Sequence, residues 1–122
     1  MQLGTRSPLA ASDLLAKVEQ LAGSAHGLAE LRLLHAVRAG DVEFTESETA
    51  EIERVLAHGA PAERLGLSTD SSPDEMRSAT LQAVSRWRER AGNPVTPREV
   101  AFHFLVVART YEGMNATLLE RD

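Results

Sequence analysis

The sequence predicts an all-α fold, and three observations support that prediction. Apolar residues recur at spacings of three and four along nearly the whole chain, and no stretch of alternating polar and apolar residues competes with them. Three Ser/Thr-x-x-Glu sequences, the pattern of a helix-capping box, precede apolar-periodic segments. The 122 residues, of which 43% are hydrophobic, suffice for one compact unit. We expect about five helices, arranged as an N-terminal three-helix part over residues 1–62 and a C-terminal antiparallel helical hairpin within residues 63–122.

Two helices are predicted before residue 41. The first begins at Ser7-Pro8 or at Ser12 and is expected to end at Gly23. The second runs from about residue 24 to residue 39, and Gly40 is its expected C-terminal cap. Its inward stripe is predicted to consist of Leu28, Leu31, Leu34 and Val37.

The third helix follows the capping-box sequence Thr45-Glu46-Ser47-Glu48 and is expected to stop at Gly59, with Ile52, Val55 and Leu56 facing inward. Between residues 41 and 53 the chain carries six acids and no base: Asp41, Glu43, Glu46, Glu48, Glu51 and Glu53. Negative charge is favoured at a helix N-terminus, which accounts for most of this run. A surface for a basic partner is the second interpretation.

The C-terminal part begins with a short turn at residues 63–67 and continues with two long helices. Ser72-Pro73-Asp74-Glu75 begins a helix that reaches about residue 91, and Thr96-Pro97-Arg98-Glu99 begins one that reaches about residue 119. The first directs Met76, Ala79, Ala83, Val84 and Trp87 inward. The second carries an uninterrupted seam of Val100, Phe104, Val107, Tyr111, Met114 and Leu118.

Several motifs of this part resemble those of a known family. They are Leu65-Gly66-Leu67, the helix start Asp70-Ser71-Ser72-Pro73-Asp74-Glu75-Met76-Arg77, Ala79, Trp87, Asn93-Pro94, and the spacing of Phe104, Val107, Thr110, Tyr111 and Glu112. In this order they make residues 63 to about 114 similar to a divergent J-domain, the helical co-chaperone module of the DnaJ family. The resemblance implies a helical hairpin that docks on an Hsp70 chaperone. Residues 1–62 have no counterpart in it.

The departure from the family lies after Trp87. The family has His-Pro-Asp there and uses it to stimulate ATP hydrolysis by Hsp70, whereas this chain has Arg88-Glu89-Arg90. That activity is therefore not carried over. Without the proline we expect the helix to continue smoothly and to end at Gly92.

No catalytic, cofactor or metal site is predicted. The chain has no cysteine, no phosphate-binding glycine loop and no His-Glu-x-x-His sequence. His26 and Glu30 are four residues apart and could supply two metal ligands, but two ligands do not make a site. His35 and His103 are expected to be packed or at the edge of the core, and His58 to lie at a helix end.

The predicted binding surface is the basic face of the helix over residues 73–91, formed by Arg77, Arg86, Arg88 and Arg90. The resemblance implies the same face, because the family contacts Hsp70 through it. The expected function is a non-catalytic protein-interaction or adaptor module whose partner has an acidic surface. The acidic run and this basic face could also meet each other, within one chain or across a homodimer.

The sequence leaves two alternatives open. One is a nucleic-acid-associated or regulatory helical domain, although the net charge of −5 argues against nucleic acid. The other is an interaction domain excised from a larger protein. The longest apolar run has five residues, far fewer than a membrane span needs, and the N-terminus lacks the apolar core of a signal peptide. Together with the absence of cysteine, this predicts a cytoplasmic protein.

Overall fold

The computed structural model describes residues 10–120, and it describes side-chain surroundings from residue 25 onward. All regular secondary structure in this range is helical, so the all-α prediction is confirmed. The elements are α1 (Ala10–Ala39), α2 (Glu46–Leu56), the single turn α3 (Pro61–Arg64), α4 (Pro73–Ala91) and α5 (Arg98–Glu120). None of these helices combines the length and apolarity that crossing a membrane requires.

Helix α1 is continuous where two helices were expected. Gly23 lies inside it and does not end a helix, so the predicted boundary between the first two helices was wrong. A glycine inside a helix costs about 1 kcal/mol relative to alanine, which good helix formers on both sides can offset. Ser12 is likewise inside α1, and the predicted start at Ser7-Pro8 lies outside the described residues.

The buried face of α1 also differs from the predicted one. Leu33 and Ala36 are buried, whereas Leu28 and Leu31 are 55% and 63% exposed. Ala29 and Val37 pack against the same core as Leu33. Positions 29, 33 and 36 share one side of a helix, while positions 28 and 31 belong to another. Both sides are apolar in the sequence, and packing against the rest of the molecule selects the first.

Two of the three predicted capping boxes are present. The side chains of Thr45 and Ser72 accept hydrogen bonds from the backbone N–H groups of Glu48 and Glu75, which cap α2 and α4. At the third, the Thr96 hydroxyl instead donates to the carbonyl of an α4 residue, over 2.8 Å, and α5 begins two residues later. The expected capping of α5 by Thr96 was therefore wrong, because this side chain fastens the loop to α4.

The ends of α1, α2 and α4 follow from backbone conformation. Gly40 has φ of 73°, and the N–H of Asp41 bonds back to Ala36, so the predicted cap of α1 is confirmed. Helix α2 ends at Leu56 instead of reaching Gly59, because Ala57 is already extended. Helix α4 runs through Arg88, Glu89 and Arg90 to a C-cap at Gly92, as predicted.

The helices α4 and α5 pack against each other more extensively than any other pair, and six residues connect them. Trp87 is completely buried between them, with its ring 5.2 Å from that of Phe104. Residues of α1 and α2 complete the same core. Trp87, Phe104, Val107 and Tyr111 are all buried, which confirms their assignment to the core.

Alanine substitutions at two glycines are expected to change the free energy of unfolding in opposite directions. Gly66 has φ of +74°, and an added Cβ would come within 2.8 Å of the Arg54 guanidinium carbon. Gly113 is an exposed position inside α5, with open space around it. We expect Gly66→Ala to lower the free energy of unfolding by about 1–2 kcal/mol. Gly113→Ala should raise it by about 0.5–1 kcal/mol. Urea denaturation of both variants measures this, and changes of the same sign would contradict it.

Candidate functional site

The buried carboxylate of Glu51 joins three helices. Its Oε1 accepts a hydrogen bond from Nη1 of Arg86 over 3.1 Å, and its Oε2 accepts one from Nη2 over 3.3 Å. The indole Nε1 of Trp87 and the hydroxyl of Tyr111 donate to the same Oε2 over 2.8 and 2.7 Å. These contacts tie α2 to α4 and α5, and we call this group the Glu51 centre.

The donors keep this carboxyl group ionised. Burial by itself raises the pKa of Glu51, but the hydrogen bonds from Arg86, Trp87 and Tyr111 outweigh it and hold the pKa below its ordinary value. Burial, and then the hydrogen bond to Glu51, raise the pKa of the Tyr111 hydroxyl, so it remains a protonated donor. Both carboxylate oxygens are occupied by donors, and an oxygen held in this way is a poor proton acceptor. The Glu51 centre is therefore suited to holding the helices together and poorly suited to accepting a proton.

The four arginines predicted to form a binding surface all lie beside acids of the same chain. Arg86 pairs with Glu51, and Arg90 lies 3.8 Å from Glu48 with its guanidinium 4.8 Å from the Trp87 ring centre. Two further ion pairs join Arg88 to Glu112 and Arg77 to Asp74. The acidic run and the basic helix therefore meet within one chain. Because acids of the same chain lie beside these four arginines, less positive charge of α4 is available to a partner than its sequence indicates.

A cleft between α1 and α5 exposes apolar residues on another side of the molecule. Phe102 and Leu105 of α5 are 57% and 47% exposed. Together with Val106, and with Ala25 and Ala29 of α1, they line a cleft of about 410 Å³. We call this the α1–α5 cleft.

A smaller, open pocket of about 240 Å³ adjoins the α1–α5 cleft, since His26 and Arg109 line both. The Thr110 hydroxyl donates to Oε2 of Glu30 over 2.6 Å, and Nε2 of His26 lies 3.1 Å from each of these two oxygens. The three side chains form a closed triangle that fastens α1 to α5. The Thr110 hydroxyl also lies 3.2 Å from the backbone carbonyl oxygen of Val106, a second acceptor for its hydrogen. No group of three or more metal-ligating side chains occurs among the residues described.

Several exposed arginines make no ion pair within the described part of the chain: Arg32, Arg38, Arg98 and Arg109. Arg98, Phe102, Leu105 and Arg109 follow one another in steps of four, three and four, which puts them on one face of α5. The sequence reasoning missed this face. Its signal was present, because Phe102 and Leu105 are apolar residues outside the predicted seam.

His103 is buried on α5 without a hydrogen bond to Nδ1 in the described residues. The rings of Phe44 and Phe102 lie 6.1 and 5.9 Å from its ring. Burial lowers the pKa of His103, and the negative charge of Glu99 counteracts part of that effect. The sequence prediction that this histidine is packed is confirmed.

Removing the carboxylate of Glu51 should destabilise the fold. Glu51→Leu leaves the Trp87 N–H and the Tyr111 hydroxyl buried without an acceptor, at about 1–3 kcal/mol for each group. We expect the free energy of unfolding to fall by about 2–4 kcal/mol in urea denaturation. The matched control is Glu53→Leu, at an exposed position of the same helix, which should change it by less than about 0.5 kcal/mol. Equal losses in the two variants would rule out this role for the centre.

His103 should make stability depend on pH. Its folded pKa is lowered, so the unfolded chain takes up the proton first as the pH falls through about 6.5, the ordinary value for histidine. The free energy of unfolding should therefore be higher at pH 7.5 than at pH 5.5. In His103→Phe this difference should shrink, whereas His58→Gln, at an exposed histidine, should retain it. An unchanged pH dependence in His103→Phe, measured by urea denaturation, would refute the assignment.

Comparison with models of protein families, with curated proteins and with solved structures finds no match for this chain. The function is therefore inferred from the geometry of the Glu51 centre and of the α1–α5 cleft.

Proposed function

We propose that this protein is a non-catalytic protein-interaction module that binds its partner in the α1–α5 cleft. One observation carries the proposal: half-exposed apolar side chains gather at a concave site, next to arginines that make no ion pair in the described residues. Concave apolar surface with a polar edge is typical of binding sites. The proposed location is the cytoplasm, in keeping with a sequence that lacks cysteine.

The proposed interaction surface is the α1–α5 cleft and not the basic face of α4. Arg86 is held by Glu51, and Arg90 lies over Trp87 beside Glu48. A partner acid that recruited Arg86 would leave the Glu51 carboxylate without its neutralising charge, which opposes binding there. The arginines beside the α1–α5 cleft carry no such cost.

The similarity of residues 63 to about 114 to a J-domain remains a prediction and supports the same class of function, because that module acts by docking on another protein. Stimulation of ATP hydrolysis is not part of the proposal, since Arg88-Glu89-Arg90 stands in place of His-Pro-Asp. A non-catalytic role is supported by the saturated carboxylate of Glu51 and by the closed triangle of His26, Glu30 and Thr110.

A random peptide library displayed on phage tests the proposal without knowledge of the natural partner. Peptides selected on the wild-type protein should bind Leu105→Glu at least tenfold more weakly in fluorescence anisotropy. Burial of one leucine contributes about 1.5–3 kcal/mol, and about 1.4 kcal/mol corresponds to a factor of ten.

The matched control is Leu81→Glu, which alters a leucine of α4 that is 55% exposed and should leave binding unchanged. Circular dichroism must show that both variants are folded. Failure to select any peptide would contradict the proposal. So would selected peptides that bind Leu105→Glu as well as they bind the wild type.

A further inference from the structure

We infer that the partner contributes an amphipathic α-helix with acidic residues beside its apolar stripe. This inference rests on the proposed function, because it concerns the occupant of the α1–α5 cleft. Two observations carry it. The cleft between α1 and α5 is lined mostly by apolar side chains. Exposed arginines lie at both ends of the apolar face of α5.

The shape of the cleft suits a third helix. Helix α5 contributes the large side chains Phe102 and Leu105, while α1 contributes His26 and the small side chains Ala25 and Ala29. Small side chains on one wall allow a neighbouring backbone to approach, and a groove between two helices is a common docking site for the apolar stripe of a third. Val106 forms the floor and is only 5% exposed, so an occupant must project side chains into the cleft to reach it.

The charges select the partner's chemistry. Arg98 and Arg109 are eleven residues apart on the same face of α5, which corresponds to about 16 Å at 1.5 Å per residue. The apolar residues Phe102 and Leu105 lie between them. A helix lying along α5 with acids about three turns apart could pair with both arginines while its apolar residues fill the cleft.

Two other occupants are less compatible with this geometry. An anionic membrane surface would also attract arginines, but a flat bilayer covers exposed side chains and cannot fill a concave site whose floor is Val106. A second copy of this chain would bring the same arginines with it. The experiment distinguishes both from a helix.

Synthetic peptides of about 18 residues test the inference, a length that gives five helical turns. The acidic peptide has a leucine stripe at helical spacing and glutamates eleven positions apart. The basic peptide has lysine at those two positions, and a third peptide has the composition of the acidic one in an order without a stripe. We expect the acidic peptide to bind the wild-type protein on the order of tenfold more tightly than the basic one in fluorescence anisotropy, since the acidic peptide forms two ion pairs where the basic one places like charges together.

Charge reversal in the protein provides the decisive control. Arg98→Glu/Arg109→Glu should reverse the preference, so that the basic peptide binds more tightly than the acidic one. Arg38→Glu alters an exposed arginine without an ion pair in the described residues, near the C-terminal end of α1 and thirteen residues beyond Ala25, and should not alter the preference. Circular dichroism of each variant excludes loss of the fold.

The remaining outcomes overturn the inference in distinguishable ways. Equal binding of the acidic and basic peptides, lost in Leu105→Glu, would refute the acidic partner and leave the proposed cleft intact. Binding that is insensitive to Leu105→Glu would refute both. Tight binding to phosphatidylserine vesicles that the double charge reversal abolishes would assign the face to membranes. Concentration-dependent dimerisation that Leu105→Glu abolishes, seen by analytical ultracentrifugation, would assign it to a second copy.

Discussion

The buried negative charge of Glu51 is the constraint on which the arrangement of helices depends. A carboxylate in the interior must be neutralised and saturated with donors, and its donors here come from Arg86 and Trp87 on α4 and from Tyr111 on α5. Helix α2 is thereby held in one position against the hairpin. The direction of Arg86 fixes the side of α4 that faces α2, and Arg90, four residues further, lies on the same side beside Glu48. The positions of Arg86 and Arg90 on α4 are therefore explained by their contacts with acids of α2.

This pairing distinguishes the arginines of α4 from those of α5. Those of α4 lie beside acids of the same chain and help to hold the helices together. Arg98 and Arg109 of α5 have no such acid in the described residues, and between them lie apolar side chains that the core does not use. A surface that is both apolar and positively charged, without internal compensation, is the feature of the molecule that most requires an external partner. In the proposed function, the cleft beside α1 is where that partner binds.

Local features of the sequence predicted much of the fold. The capping boxes at Thr45 and Ser72 and the left-handed Gly40 depend on a few adjacent residues, so their patterns are informative. The choice between the two apolar sides of α1 depends on packing against α2 and α5, which no local pattern contains. The site was the hardest part to predict. Glu51 lies 35 residues from Arg86 and 60 from Tyr111, so the sequence displays their charges without showing that they meet.

The arginines at the two ends of the exposed α5 face also oppose self-association through that face. Half-exposed apolar side chains promote self-association. In a twofold-symmetric dimer each copy presents the same patch, so every residue of the face meets a residue of the identical face. With arginine at each end, both directions of helix pairing bring guanidinium groups together, and the net charge of −5 adds repulsion between whole molecules. The arginines that would attract an acidic helix in the proposed function thereby oppose pairing between two copies through this face.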